Sequence, residues 1–477
     1  MKSMKKMKNK YSFIKRRIKN RSNNEKNNIH NKYSGVVLRI FLFILLSIFT
    51  EILVYNRITF YFQISFNLVF LPLWFFIVEL ALRKNQLFKL HSKNYWAAFL
   101  TPLFLNIILN LLVYKYINIV AISTILSTLI VTLLINYEVG ILAGFIFSVY
   151  FGILFGFDLK FMLFLFLPAF IVAFFSRKIK RRIEIILPFI LASLTQMIFS
   201  YIININYSVF DYLIILEINF FSVLITMGIL PFFEYMTRVY SEIGLLELGN
   251  LSNPLLKELS LKAPGTYYHS MIISNLAESA TETINGNSTL ARVSAYFHDI
   301  GKIWRPQFFS ENQKVKNPHV NISPKLSSLI LNNHVTYGIE LAKKYRLPVL
   351  IEDIISQHQG TRVKQFFYNE YYQETGIKDS SMFRYPGPIP QFKESAVLMI
   401  CDVSEAVTRS MQEINPIEIN QKLDEIINSL FLEGQLDDCG LTLREIKKIK
   451  GRIVKTILEM NHKRISYPKI DVEELKE

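Results

Sequence analysis

The run Tyr-Phe-His-Asp-Ile-Gly-Lys over residues 296–302 sets an imidazole and a carboxylate side by side, His298 and Asp299. His269 precedes it, and His334, His358 and Asp402 follow at wide spacing. Unprotonated imidazole nitrogens and carboxylate oxygens are the donors that a hydrolytic metal site uses near neutral pH. At these separations the donors meet only if five helices bring them to one point.

The local sequence supplies those helices. Pro264-Gly265 breaks the chain, Thr266 is placed to cap the helix that follows, and His269 falls in its first turn. Residues 288–303 carry Leu290, Val293, Phe297 and Ile300 as a helical stripe, with His298 and Asp299 beside it near the helix end. A third helix runs through Leu326 and Ile330 to His334. A fourth starts at Pro348 and runs through Ile351, Ile354 and Ile355 to His358, with Gly360 as its stop. A fifth spans about 393–411, where Asp402 follows Leu398, Met399, Ile400 and Cys401. No strand-rich stretch interrupts this half, so it reads as all-α. A single histidine on an apolar helix face is more often a satisfied core residue than a ligand. A carboxylate among apolar residues is different, because burying it without a cation costs several kcal/mol. The adjacent His-Asp pair within this set therefore favours the metal reading. Cys401 and Cys439 form no ligand motif and read as reduced thiols.

Everything N-terminal to this half reads as membrane. Of the 477 residues 51% are apolar, and residues 36–233 are dominated by Phe, Ile and Leu. The net charge of +16 invites a nucleic-acid reading, but residues 1–35 alone hold twelve Lys and Arg against Glu25. A basic, Asn-rich arm ahead of a membrane span reads as a disordered cytoplasmic tail beside anionic lipid, not as a polymer-binding surface. Eight stretches of about 20 apolar residues qualify as spans, near 36–55, 60–82, 94–114, 117–135, 137–156, 160–176, 186–205 and 212–232. With the tail inside, the inner loops collect Arg83, Lys84, Lys89 and Lys93, then Arg177, Lys178, Lys180, Arg181 and Arg182, whereas the outer turns hold Arg57, Lys115 and Lys160. An even count returns the C-terminal half to the cytoplasm. Few ionisable residues lie deep in the spans, which argues against a transporter; Asn106 and Asn110 share a face and read as helix glue. The expected layout is a tail at 1–35, a transmembrane bundle of about eight spans at 36–233, an amphipathic helical connector at 234–262, a catalytic domain at 263–467 and a short tail at 468–477.

Several ordered runs carry a resemblance: Leu-Ser-Asn-Pro-Leu-Leu at 251–256, Ala-Pro-Gly-Thr-Tyr at 263–267, His-Asp-Ile-Gly-Lys at 298–302, Arg305-Pro306, Glu-Asn-Gln at 311–313, Phe-Arg-Tyr-Pro-Gly-Pro at 383–388 and Gly-Gln-Leu-Asp-Asp-Cys at 434–439. With them the chain resembles the HD phosphohydrolase superfamily, and more closely the seven-transmembrane HD (7TM-HD) family of PgpH-type cyclic-di-AMP phosphodiesterases. The resemblance implies a cytoplasmic all-helical HD domain behind a polytopic bundle in the plasma membrane, hydrolysing cyclic di-AMP to pApA. It implies two divalent transition metals, iron or manganese, which activate a hydroxide and clamp the phosphate. One metal position would take His269, His298, Asp299 and Asp402; the other would share Asp299 and take His334 and His358. Asp299 and Lys302 would be catalytic, and Lys302 and Arg305 would face substrate phosphate. The implied partners are cyclic di-AMP or a related nucleotide and membrane lipid, with a homodimer left open.

The chain departs from the family pattern in three places. Gln359 stands where the pattern has a second histidine, and offers a poorer ligand. Tyr268 replaces a histidine before His269. Residues 56–60 leave no room for the extracellular domain usual between the first two spans. Two alternatives follow: an HD hydrolase of another nucleotide phosphoester, or a nucleotide-binding membrane receptor whose catalysis is weakened by Gln359.

Overall fold

The computed structural model describes residues 74–460, apart from 75, 84–87, 89, 118, 157, 204–206, 314–316, 410 and 412–414. The basic tail, the apolar stretch 36–55, most of 60–82, the loop bases Arg57, Lys84 and Lys89, and the end of the chain from 461 lie outside the described residues. The chain divides into two compact units, Met1–Lys178 with Ile183–Leu230, and Ile179–Arg182 with Pro231–Glu477.

The first unit contains helices α1 (Ser92–Tyr116), α2 (Ile125–Leu134), α3 (Tyr137–Leu154), α4 (Leu159–Phe175), α5 (Ile186–Ile202) and most of α6 (Val209–Thr237). Among the described residues four stretches are long and apolar enough to cross a membrane, Ser92–Tyr116, Tyr137–Leu154, Arg182–Ile202 and Val209–Thr237; Ile119–Leu134 and Leu159–Phe175 are shorter. In hydrocarbon a helix satisfies its own backbone, and helices associate through close contact of small residues and polar glue. Both devices are present. A Cβ on Gly144 would stand 2.5 Å from Ala169 Cβ, and one on Gly140 would stand 1.9 Å from Thr132 Oγ1. Between α1 and α2, after the 3-10 turn Ile119–Ala121, the backbone leaves helical form at 122–123, and polar groups there turn to side chains. Ser123 N donates to Asn110 Oδ1 at 2.7 Å, and Asn106 and Asn110 each donate to Ser123 O. Ser123 Oγ donates to Asn219 Oδ1, whose Nδ2 donates to Gln196 Oε1 at 2.8 Å. Asn106 and Asn110 thus serve as the glue that their types suggest.

The second unit contains α7 (Glu242–Leu248), α8 (Pro254–Lys262), α9 (Pro264–Glu282), α10 (Ser288–Phe297), α11 (Pro324–Lys344), α12 (Val349–Gln357), α13 (Gln365–Thr375), α14 (Lys393–Arg409), α15 (Pro416–Leu432) and α16 (Leu443–Met460). Among the described residues there is no strand, only an isolated antiparallel bridge between Val363 and Arg384. The segment 234–262, expected as a helical connector, holds the end of α6, then α7 and α8. Ser241 caps α7 by accepting from Gly244 N, and Asn253 caps α8 by accepting from Leu255 N, with Pro254 setting its first turn. Arg238, in left-handed backbone at φ 56°, joins the end of α6 to the start of α12. Its carbonyl accepts from Val349 N at 3.1 Å, and its guanidinium donates to Leu347 O and pairs with Glu352 at 2.6 Å.

Helix α9 is the centre of this unit, packed against α10, α14 and α16. Ile273, Leu276, Ala277 and Ala280 of α9 are fully buried, as are Phe297 of α10 and Ala396, Val397 and Ile400 of α14. Each large apolar side chain so buried contributes roughly 1.5–3 kcal/mol. Thr266 does not cap α9. Pro264 already supplies the preset first residue, and the Thr266 hydroxyl donates instead to Glu311 Oε1 at 2.9 Å.

Candidate metal centre

Each expected donor sits at a helix end or on an inward helix face, which is why sequence-distant residues meet. His269 lies one turn into α9, His298 is the C-cap of α10, and Asp299 opens the 3-10 turn Ile300–Trp304. His334 is on the inner face of α11, His358 is the C-cap of α12, and Asp402 is midway along α14. All six are buried.

Asp299 is the hub. Its Oδ2 faces His298 Nε2 at 3.2 Å and His269 Nε2 at 3.9 Å. Its Oδ1 faces His334 Nε2 and His358 Nε2, each at 3.5 Å. The ligand atoms of His269, His298 and Asp299 lie within 4.8 Å of one another, and so do those of Asp299, His334 and His358. Asp402 Oδ1 joins the first group at 3.1 Å from His269 Nε2.

The tautomers follow from the outer contacts. A carbonyl oxygen only accepts, so Nδ1–H donates in His298 to Ala295 O at 2.7 Å, in His334 to Leu331 O at 2.5 Å and in His358 to Ile355 O at 2.8 Å. Each neutral ring then turns a lone pair on Nε2 inward. His334 Nε2 and His358 Nε2 are 3.3 Å apart, lone pair against lone pair. His298 Nε2 and Asp299 Oδ1 are buried without any hydrogen-bond partner. Orphaned buried acceptors are costly without a cation between them, so the residues fit a divalent metal.

The charges agree. Burial opposes ionisation of Asp299, but Lys302 first and His298 next hold its carboxyl well below the usual range. Asp402 is likewise held low against burial by its hydrogen bond to His269. Burial presses His334 down to about 3, which keeps it a neutral donor. His269 is the exception: burial is outweighed by Asp402 and Glu405, which raise it to about 9.

Lys302 lies in the site, with Nζ at 2.7 Å from both Asp299 Oδ2 and Glu311 Oε1. Gln359 Nε2 donates to Asp402 Oδ2 at 3.0 Å, so in this structure its amide steadies a carboxylate. Arg305 is not drawn into the cluster; it is exposed and lies 4.1 Å from the centroid of the Trp304 ring. Sequence reasoning gives no role to four residues. Glu405 accepts from His269 Nδ1 at 2.7 Å, and its place one turn after Asp402 on α14 was the available signal. Glu311 neutralises Lys302, and Phe309 and Tyr385 wall His334 at ring separations of 5.5 and 6.1 Å.

Residues 58–241 match the family model described as a 7TM receptor with intracellular HD hydrolase, and residues 266–407 match the HD domain. The cyclic-di-AMP phosphodiesterase PgpH of Bacillus subtilis (strain 168) is 41% identical over 245 residues, 51% of this chain and 34% of that one. The protein of the same name from Listeria monocytogenes serotype 1/2a (strain 10403S) is 40% identical over 243 residues, again 51% and 34%. The match thus spans about a third of the length of these relatives. A crystal structure of the L. monocytogenes PgpH HD domain in complex with cyclic-di-AMP is 42% identical, covering 45% of this chain and all of that one, with a TM-score of 0.43. The chain thus joins an apolar helical N-terminal unit, similar to a seven-transmembrane receptor domain, to an all-helical unit that matches the HD domain and carries His and Asp groups able to hold a metal.

Proposed function

We propose that the protein is a phosphodiesterase that hydrolyses cyclic di-AMP to pApA, with a pair of iron or manganese ions held by His269, His298, Asp299 and Asp402 on one side and by Asp299, His334 and His358 on the other. The observation that carries the reading is the split of Asp299, one oxygen toward each histidine pair. The PgpH name of the relatives supports the substrate. When bound, such a metal pair supplies an activated water and positive charge at the cleaved phosphate.

The chain's own residues do the positioning. The backbone carbonyls behind His298, His334 and His358 fix ring orientation and tautomer, and Glu405 does the same for His269. Lys302 keeps Asp299 ionised and sits where charge grows on a bound phosphate. Phe309 and Tyr385 set aromatic rings against the His334 side. In the expected domain layout, the exposed bases Arg177 and Lys178 support an inner-side loop, and hence a plasma-membrane protein of about eight spans with the HD domain in the cytoplasm. Gln359 as a hydrogen-bond donor to Asp402 favours an active enzyme over a catalytically silent nucleotide receptor.

The test uses the full-length protein in detergent, loaded with manganese or iron. Wild type converts cyclic di-AMP to pApA, and Asp299→Ala does not. Absence of product with metal-loaded wild type overturns the reading.

A further inference from the structure

Six residues after His358 the chain places a second cation beside the cluster. Lys364 is 6% exposed. Its backbone N donates to Phe383 O at 2.8 Å, and Tyr385 N donates to Arg362 O at 3.0 Å, so 362–364 and 383–385 run as one short paired wall. The Lys364 ammonium lies 4.1 Å from the centroid of the Tyr385 ring, the same ring that stands edge-on to His334.

The contacts of this ammonium are few. Nζ donates to Phe383 O at 3.1 Å, which among the described residues is one bond for three N–H groups. No carboxylate of the described residues forms an ion pair with it, whereas Lys302 meets two. Burial draws its pKa down to about 8. As a purely structural residue it is a poor choice, since an uncharged side chain of similar length would fill the space without burying charge. An incoming anion would complete it. The cleaved phosphate belongs at Asp299, yet a cyclic dinucleotide carries two phosphates on opposite sides of its ring.

We propose that Lys364 binds a second phosphate of the substrate, apart from the one that is cleaved, so that the centre selects nucleotides with two separated phosphate groups. This rests on the phosphodiesterase reading above.

Steady-state kinetics on the manganese-loaded full-length protein test it, with cyclic di-AMP against bis(4-nitrophenyl) phosphate, an ester with a single phosphate. For Lys364→Gln, KM for cyclic di-AMP rises about 10- to 100-fold, as expected for loss of a charge-assisted hydrogen bond, while kcat/KM on the single-phosphate ester stays within about twofold. Lys364→Arg recovers part of the affinity. Lys364→Met melts no lower than wild type without nucleotide, where loss of a structural cation would lower Tm. Equal losses on both substrates, or an unchanged KM for cyclic di-AMP, overturn the proposal. If wild type cleaves only the single-phosphate ester, the proposed substrate fails. Calorimetric titration with pApA, itself carrying two phosphates, then decides: weaker binding to Lys364→Gln supports the role of Lys364, and equal binding removes it.

Discussion

Asp299 works because its two oxygens divide four imidazoles between them, and the neighbours that keep it ionised are as specific as the ligands. Replacing Glu405 by Gln weakens the hold on His269 Nδ1, and we expect metal affinity or turnover to fall about 10- to 100-fold, read by metal titration and initial rates. Replacing Lys302 by Met leaves Asp299 and Glu311 buried without their cation. In the metal-free protein this costs about 3–5 kcal/mol, and added manganese narrows the gap to wild type in thermal melts. At this scale the sequence displayed donors but not their partners. Histidines and aspartates on apolar helix faces stand out in a linear reading. Glu405, Glu311, Lys364 and Tyr385 do not, because charged and aromatic residues are common and only folding shows which carbonyl or carboxylate each one meets.

The helices of the second unit were legible from spacing, and their ends were less so. Apolar stripes located α10, α12 and α14 with their donors, because those faces must be buried. Thr266 fits a cap by type but does not act as one, because Pro264 already starts the helix, and the break at 249–253 is hidden in the sequence because Leu periodicity continues through it. A tighter constraint lies in the turn after Asp299. A Cβ at Gly301 would stand 1.8 Å from His334 O and 2.7 Å from Gly338 N, both backbone atoms that cannot swing aside. Gly301→Ala should therefore force α11 away from the turn, cost more than about 4 kcal/mol and remove His334 from Asp299. A soluble, metal-replete variant with wild-type melting would contradict this.

For the molecule as a whole, metal and pH act on the HD unit through linkage. A metal held at 100 times its dissociation constant stabilises the folded state by about 2.7 kcal/mol, so chelation should lower Tm and remetallation restore it. Lys364 gives a pH signature of its own. Its pKa falls from 10.5 to about 8 on folding, so the unfolded chain binds more protons between those values. Stability is full above about pH 10.5 and is lost as pH falls through about 8, a difference of roughly 3 kcal/mol that Lys364→Met abolishes in melts across that window. The apolar half was legible as a class, since long runs of Phe, Ile and Leu admit few other readings, though two stretches form helices shorter than a full crossing. One short element ties the start of the HD unit to its metal donors. Helix α12 is nine residues, about 13 Å, with Arg238 bolted to one end and His358 handed over at the other. The end of α6 and the imidazole are therefore separated by little more than two helical turns, so the position of one constrains the position of the other.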